Sequence, residues 1–286
     1  MARNDSAVHP EIPDPDDGLF GPDSASWKVL GERTVILGGM RALLMHAAHP
    51  LVAAATAQTG TYASDPWGRH RRTLELTYTL VFGARAEAIA AARRINAAHR
   101  SVRGVDPLTG MAYAATEPDL LLWVHASLVS SFLLYERLTV GALDPADRQL
   151  FCAEWVFLAR LLGVPVGRVP STPDRVDAWV DAVTASGVLR PTDGSALLAA
   201  IIRRPAKGLY GVKLRAAAFL ALHTLPPPLR DLYGVDHRRV DQRLLNALCV
   251  AIRIGRRGLP ERAHLIPPAV AARARTQRIP QPGRAG

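Results

Sequence analysis

The histidines of this chain are concentrated in one part of the sequence, since five of the nine fall between residues 46 and 125. Four of the five lie in segments whose apolar residues recur at helical spacing. An imidazole that faces an apolar pocket is typical of an axial haem ligand, and histidine is also a general base near neutral pH. A histidine on an apolar face can equally be a hydrogen-bonded core residue.

The first segment reads GGMRALLMHAAHPLVAAATA. His46 and His49 are three residues apart and share a helical face, and Pro50 allows a new helix to begin just after His49. Gly38 and Gly39 each cost about 1 kcal/mol relative to alanine inside a helix, which indicates that a bulky group approaches there. The alternative is packing of this helix against a neighbour, with His49 as a cap or a hydrogen-bonded core residue.

The second segment, DPWGRHRRTLEL, carries a cluster of cations. Arg69, Arg72 and Thr73 are spaced to lie on one face of a helix that opens after Pro66. Arginines at a helix N-terminus oppose the macrodipole, which prefers anions there, so the pattern indicates an anion nearby. The alternative is a solvated basic first turn. Arg41, in the first segment, is a further candidate for binding the carboxylates of an anionic cofactor.

The third and fourth segments each carry one histidine. His99 lies on a stripe with Ile95 and Val102, while the neighbouring arginines lie off it. His125 lies with Leu121 on a helix that is apolar nearly all round and should therefore be central. Taken alone, each is more often a core histidine than a ligand. For His125, a hydrogen bond to a buried partner is the stronger interpretation.

These segments must be positioned by helices. Alanine, leucine and arginine dominate, and no segment reads as a strand. Glycines 83, 104, 141 and 163 stand where helices should end, and prolines 118, 145 and 173 where they should begin. Helices are predicted at about 24–48, 49–59, 66–82, 84–102, 118–140, 145–162, 173–187, 194–204, 206–224 and 237–256. The sequence predicts an all-α protein with a single multi-helix domain.

The domain is expected to span residues 21–265, between a disordered segment 1–20 and a flexible tail 266–286. The N-terminus has no apolar core of a signal peptide. Charged and polar residues interrupt each apolar stretch before the roughly 20 residues that a membrane span needs. We therefore predict a soluble, cytoplasmic protein.

Several classes of protein are excluded by missing patterns. The chain has no GxGxxG, GxxxxGK[ST], GxSxG or HExxH. One glutamate stands three residues before a histidine, Glu261 before His264, whereas a di-iron helix bundle needs two such pairs. Cys152 and Cys249 form no CxxC, which argues against a disulfide scaffold, a zinc site or an iron–sulfur cluster.

The chain is basic, with a net charge of +10. Its arginines are spread along the whole length and are not clustered with aromatic residues, which argues against a nucleic-acid partner. The positive charge is compatible with a peripheral contact to an anionic membrane, or with a buried anionic cofactor. No pattern indicates an oligomeric state.

Taken together and in this order, the segments resemble the catalytic domain shared by latex-clearing rubber oxygenases and the mycophenolate-pathway oxygenase. The resemblance covers about residues 20–170. The matching stretches are GGMRALLMHAAHPLVAA, DPWGRHRRTLELTYTLVFG, INAAHRSVRG, YAATEPDLLLWVHASLV and AEWVFLARLLGVP.

The resemblance implies a globin-like helical core that holds haem b and uses dioxygen to cleave carbon–carbon double bonds of isoprenoid chains. By this resemblance His99 would be the proximal iron ligand. Arg69 and Thr73 would line the distal side, with Arg72 at a nearby basic position. The rubber oxygenases place a glutamate on the distal side as a base, whereas residues 34–63 of this chain contain no acidic residue. His49 is the nearest titratable substitute, and we take it as the candidate base.

The resemblance therefore predicts a haem-dependent oxygenase, an oxidoreductase that acts with dioxygen on an apolar, unsaturated, isoprenoid- or lipid-like substrate. In this reading His49, Arg69 and Thr73 are catalytic, while His99, Arg72, His125 and Arg41 bind the cofactor. One alternative is a non-catalytic protein that binds haem or another lipophilic ligand. A second is a helical scaffold without a cofactor, whose histidines are core residues.

Overall fold

A computed structural model describes residues 17–59, 65–141, 143–203, 208–236 and 242–277. The described chain is almost wholly helical, which confirms the predicted all-α class. Its helices are α1 (Ala25–Leu30), α2 (Leu37–Ala47), α3 (Pro50–Gln58), α4 (Pro66–Phe82), α5 (Arg85–Ser101), α6 (Pro118–Thr139), α7 (Pro145–Leu161), α8 (Pro173–Ala185), α9 (Asp193–Arg203), α10 (Gly208–His223), α11 (Pro227–Leu232), α12 (Gln242–Arg257), α13 (Glu261–His264) and α14 (Pro267–Thr276). The predicted starts at 206 and 237 and the segments 1–16 and 278–286 lie outside the described residues.

Proline at the first helical position sets many of the helix starts, as the sequence indicated. The helices α3, α4, α6, α7 and α8 all begin at a proline. Side chains complete several caps: Ser24, Asp65, Asp144 and Thr172 each accept a hydrogen bond from a backbone N–H in the first turn.

Two predictions about secondary structure were wrong. The single helix predicted at 24–48 is divided into α1 and α2, because residues 31–33 pair with the distant segment 264–266: Arg33 N–H donates to the His264 carbonyl at 2.8 Å, and Ile266 N–H to the Gly31 carbonyl at 2.9 Å. The chain also contains two short antiparallel strands, β1 (Arg103–Val105) and β2 (Ala112–Ala114). At three residues each, they are too short to show an alternating pattern.

The C-terminal boundary also differs from the expected one. Residues 266–277, predicted to be part of a flexible tail, include helix α14, whose Ala269 and Ala272 are buried in the hydrophobic core. Arg275 donates to the carbonyl of Phe82 at 2.7 Å, which holds α14 against the end of α4. This helix is therefore an integral part of the packed core.

Helix α6 lies at the centre of the domain and packs against α2, α7, α8 and α12. It is, within the described ranges, the one helix long and apolar enough to cross a membrane by length and composition, but most of it is buried inside the protein. A core helix of a soluble protein has the same properties. Trp123 on α6 and Trp155 on α7 are among the most deeply buried side chains. The globin-like arrangement of this core stays a prediction.

The two glycines near the start of α2 have different surroundings. A Cβ atom on Gly38 would lie 2.8 Å from the carbonyl oxygen of Ser131 on α6 and 3.3 Å from the ring of Tyr135, whereas one on Gly39 would meet nothing within 4 Å. The bulky group that the sequence indicated is therefore, at Gly38, the backbone of α6.

We expect Gly38→Ala to lower the free energy of unfolding by about 2 kcal/mol, because the added methyl group forces α2 and α6 apart. The matched control, Gly39→Ala, should be neutral or stabilise the protein by up to about 1 kcal/mol through helix propensity. Urea unfolding of both variants measures the difference. Equal effects of the two substitutions would contradict this close packing.

Candidate functional site

His99 is placed near the C-terminal end of α5, on a helix that packs against α4. Its ring is half-buried, and Nδ1 is buried without a hydrogen-bond partner in the described part of the chain. Burial lowers the pKa of this imidazole, so the ring is neutral at physiological pH. The side chain of Asn96, one turn earlier, donates to the Leu161 carbonyl at 2.9 Å and fixes α5 against the end of α7. His99 thus offers a neutral nitrogen on a fixed helix.

The cations predicted on the distal helix lie in the first turns of α4. Arg72 and Thr73 are exposed, and Arg72 pairs with the carboxylate of Asp65 at 3.4 Å. Asp65 also caps the helix, accepting the Gly68 N–H at 2.8 Å. An anion near this cationic turn was indicated by the sequence, and Asp65 supplies one. The side chain of Arg69 lies outside the described residues, so its role stays a prediction.

His49 stands at the junction of α2 and α3, as the N-cap residue of α3. It is 7% exposed, and its Nδ1 has no hydrogen-bond partner among the residues that the structure describes. Its ring centroid lies 6.5 Å from that of Trp123, whose indole N–H is also buried without a described partner. Burial lowers the pKa of His49, and the nearby carboxylate of Asp106 opposes that effect. His49 is therefore a neutral imidazole with an anion close enough to stabilise its protonated form.

Asp106 and Trp123 are the two neighbours of His49 that the sequence reasoning missed. The pattern DPLTG, in which Asp106 precedes a proline and a glycine, is a turn signature that could have drawn attention to this aspartate. Trp123 lies two residues before His125 on α6, and nothing in its spacing distinguishes it from a core residue. Only the packing of α6 against α2 brings it to His49.

His46 has the surroundings of a core histidine. Its Nε2 lies 2.7 Å from the Ser127 hydroxyl oxygen and 3.3 Å from the Val124 carbonyl oxygen, both on α6. Burial lowers its pKa to about 4. His46 is therefore a hydrogen-bonded core histidine. Its neighbours differ from those of His49, although the two residues are three apart.

His125 is buried in the centre of the core. Its ring lies 5.6 Å from that of Trp155, and burial lowers its pKa to about 4. The described residues supply aromatic packing for this ring, whereas the hydrogen bond expected from the sequence is not among the contacts seen. Its predicted role toward a cofactor stays a prediction.

Arg41 lies in a buried polar network between α2, α6 and α10. Its Nε donates to the Thr224 carbonyl at 2.9 Å and its Nη1 to the Ser131 hydroxyl at 2.7 Å. Burial lowers its pKa to about 10, opposed by the charges of Asp177 and Asp181. The guanidinium therefore makes contacts within the protein, and its predicted contact with a cofactor carboxylate stays a prediction.

The donor set can be tested against the kinds of metal site that it could form. In the ranges that the structure describes, no three side chains of histidine, cysteine, aspartate or glutamate converge to hold a metal ion. A haem iron needs only one or two protein ligands, because the macrocycle supplies four nitrogens. The neutral His99 ring fits that requirement, because a neutral imidazole carries one nitrogen lone pair that can bind a metal.

Comparison with known proteins identifies the family of this chain. A family model described as "ER-bound oxygenase mpaB/B'/Rubber oxygenase, catalytic domain" matches residues 27–254. No curated protein and no solved structure matches the chain. The match runs from within α1 to within α12 and includes His49, His99 and His125. The chain therefore belongs to the family of mpaB and rubber oxygenase catalytic domains.

Proposed function

We propose that this chain is a haem-dependent oxygenase that acts with dioxygen on an apolar, unsaturated substrate of isoprenoid or lipid type. Membership of an oxygenase family supports the reaction class. The observation that carries the choice of cofactor is the neutral, half-buried imidazole of His99 on α5, whose Nδ1 has no hydrogen-bond partner among the described residues. A desolvated neutral imidazole can bind a metal directly, whereas a protonated imidazole must first lose a proton.

In this proposal His99 holds the iron, and bound haem supplies the activation of dioxygen, which protein side chains cannot perform. Arg69 and Thr73, four residues apart on α4, orient and polarise the bound reactants by hydrogen bonding. Arg72, His125 and Arg41 keep their predicted roles in binding the cofactor. The protein also excludes water from the reacting carbon atoms, since the core around α6 is largely apolar.

His49 handles protons in this proposal. A neutral imidazole carries one ring nitrogen with a free lone pair, which can accept a proton from the substrate. The negative charge of Asp106 stabilises the imidazolium that forms. Residues 34–63 contain no carboxylate, which supports His49 as the base that this segment offers.

A pair of variants tests this proposal. We expect His99→Ala to weaken hemin binding roughly tenfold or more and to change the Soret band, because the axial nitrogen is lost. His49→Gln should keep the haem spectrum and lower turnover of an unsaturated isoprenoid by about 100-fold, as expected for loss of a general base. His264→Ala is the control, since that ring lies at the surface and bonds only to the Leu259 carbonyl in the described structure.

The results also separate the alternatives. Full hemin binding with an unchanged spectrum in His99→Ala would refute the ligand assignment. A normal haem spectrum without turnover in the unaltered protein would identify a non-catalytic haem protein. Colourless protein from a haem-supplied host, with no Soret shift on adding hemin, would favour a scaffold without a cofactor.

A further inference from the structure

The β-hairpin that follows α5 has one face against the protein and one toward solvent. On the inner face, Gly104 pairs with Tyr113, which is 7% exposed and donates its hydroxyl to Gln58 on α3 at 3.2 Å. Because side chains alternate along a strand, Arg103 and Val105 lie on the outer face. The hairpin is thus anchored by Tyr113 and presents its tip outward.

The tip of this hairpin is apolar and exposed. Val105, Leu108 and Met111 are 63%, 55% and 58% exposed, and they fall within seven residues of one another. Single exposed apolar residues are ordinary, but a cluster on one projecting loop is typical of a contact surface. The tip is therefore a candidate contact surface.

The loop is held in shape by Asp106. This carboxylate is buried and accepts hydrogen bonds from the backbone N–H of Thr109 at 2.9 Å and from the Thr109 hydroxyl at 2.6 Å. The backbone N–H of Asp106 donates to the Met111 carbonyl at 2.8 Å. Because these polar groups are already hydrogen-bonded within the loop, burying the tip away from water leaves none of them without a partner. The loop is also preorganised, so little conformational entropy is lost on binding.

The charged side chains that precede the tip are positive, and the carboxylate of Glu117 lies at the base of the hairpin, where it accepts the Ala114 N–H at 2.7 Å. Arg103 lies on the outer face beside Val105, and Arg100 is exposed in the last turn of α5. Asp106 is the one acidic residue in the sequence from 100 to 114, and its carboxylate is directed into the loop. The whole chain carries a net charge of +10. An anionic partner is therefore favoured.

We propose that this hairpin tip docks on an anionic lipid bilayer, with Val105, Leu108 and Met111 entering the interfacial region and Arg100 and Arg103 contacting lipid phosphates. Three side chains give far less than the roughly 800 Å² that each partner of a stable protein interface buries. The same side chains suffice for reversible attachment to a membrane when cations assist them. The proposal goes beyond the proposed function and holds with or without haem.

Co-sedimentation of the 286-residue chain with lipid vesicles tests the proposal. We expect the protein to bind vesicles of phosphatidylcholine and phosphatidylserine more tightly than vesicles of phosphatidylcholine alone. The double variant Leu108→Glu/Met111→Glu should bind the mixed vesicles roughly tenfold or more weakly, since it removes two apolar anchors and adds two negative charges. Arg103→Glu should lose about fivefold or more, and only on the anionic vesicles.

The matched control is Leu244→Glu on α12, which alters an equally exposed leucine (56%) on a different element. It should bind vesicles like the unaltered protein. Thermal melting of all variants should be unchanged, because the altered side chains are at the surface. The proposal is overturned if the unaltered protein sediments with neither kind of vesicle, if the double variant binds as tightly as the unaltered chain, or if Leu244→Glu loses as much binding. It is also overturned if sedimentation velocity shows a dimer that the double variant dissociates, since the tip would then bind a second copy.

Discussion

Acidification from pH 7.5 to pH 5 is expected to lower the free energy of unfolding by about 4 kcal/mol, through two buried histidines. His46 and His125 have their pKa lowered to about 4 by burial, whereas an unfolded histidine titrates near 6.5. Above pH 6.5 both rings are neutral in both states, and the folded protein has its full stability. Below pH 6.5 the unfolded chain takes up protons first, so stability falls until the folded pKa is reached near pH 4.

The size of this loss follows from the two pKa values. At pH 5 each histidine contributes roughly 2 kcal/mol of destabilisation, and the contribution levels off near 3 kcal/mol below pH 4. His49 and His99 act in the same direction, since burial also lowers their pKa. Glu154 acts in the opposite direction, because burial raises its pKa and its protonation favours the folded state. The net loss is a large part of the 5–15 kcal/mol that is typical of a folded domain.

Urea unfolding at several pH values, without added hemin, measures this effect. His125→Leu removes one of the two groups, so its stability should fall by about 2 kcal/mol less than that of the unaltered protein between pH 7.5 and pH 5. The same slope in the His125→Leu variant, or a flat profile in the unaltered protein, would show that these rings are not held neutral by the core.

The sequence predicted the helix starts, because these depend on the residues at the start itself. Prolines 118, 145 and 173 begin helices because a proline at the first helical position loses no hydrogen bond. Pro50 likewise begins α3 directly after His49, as the sequence indicated. By contrast, the break between α1 and α2 depends on pairing with residues 264–266, which no local pattern encodes.

The candidate site shows the same division. The helical faces that carry His99 and His125 follow from spacing alone, and both residues lie on the predicted helices. The neighbours of each ring come from other elements, so the sequence could not supply them. His46 forms a hydrogen bond with Ser127. His49, three residues later, packs near Trp123 and interacts electrostatically with Asp106 of the hairpin. Periodicity places a residue on a face, and packing decides what that face contacts.

Arg41→Met is expected to lower the free energy of unfolding by about 3 kcal/mol, because two charge-assisted hydrogen bonds are lost inside the core. The Ser131 hydroxyl and the Thr224 carbonyl would each lose a donor. Asp177 and Asp181 on α8, whose negative charges favour the charged guanidinium, would also lose their attraction to this cation. The variant no longer pays the desolvation penalty of a buried guanidinium, which offsets part of this cost. We therefore expect the loss of stability to be smaller than the sum of two such hydrogen bonds.

Arg41→Lys should destabilise the protein by a similar amount, because one ammonium group cannot reach both acceptors in the fork geometry of arginine. Arg93→Met, at an exposed position of α5, is the control and should change stability by less than about 0.5 kcal/mol. Hemin titration of the same variants separates the two roles considered for Arg41. If Arg41 only holds α2, α6 and α10 together, Arg41→Met loses stability but binds hemin normally at a temperature where it is folded. If Arg41 also binds a cofactor carboxylate, the hemin affinity of the folded variant falls as well.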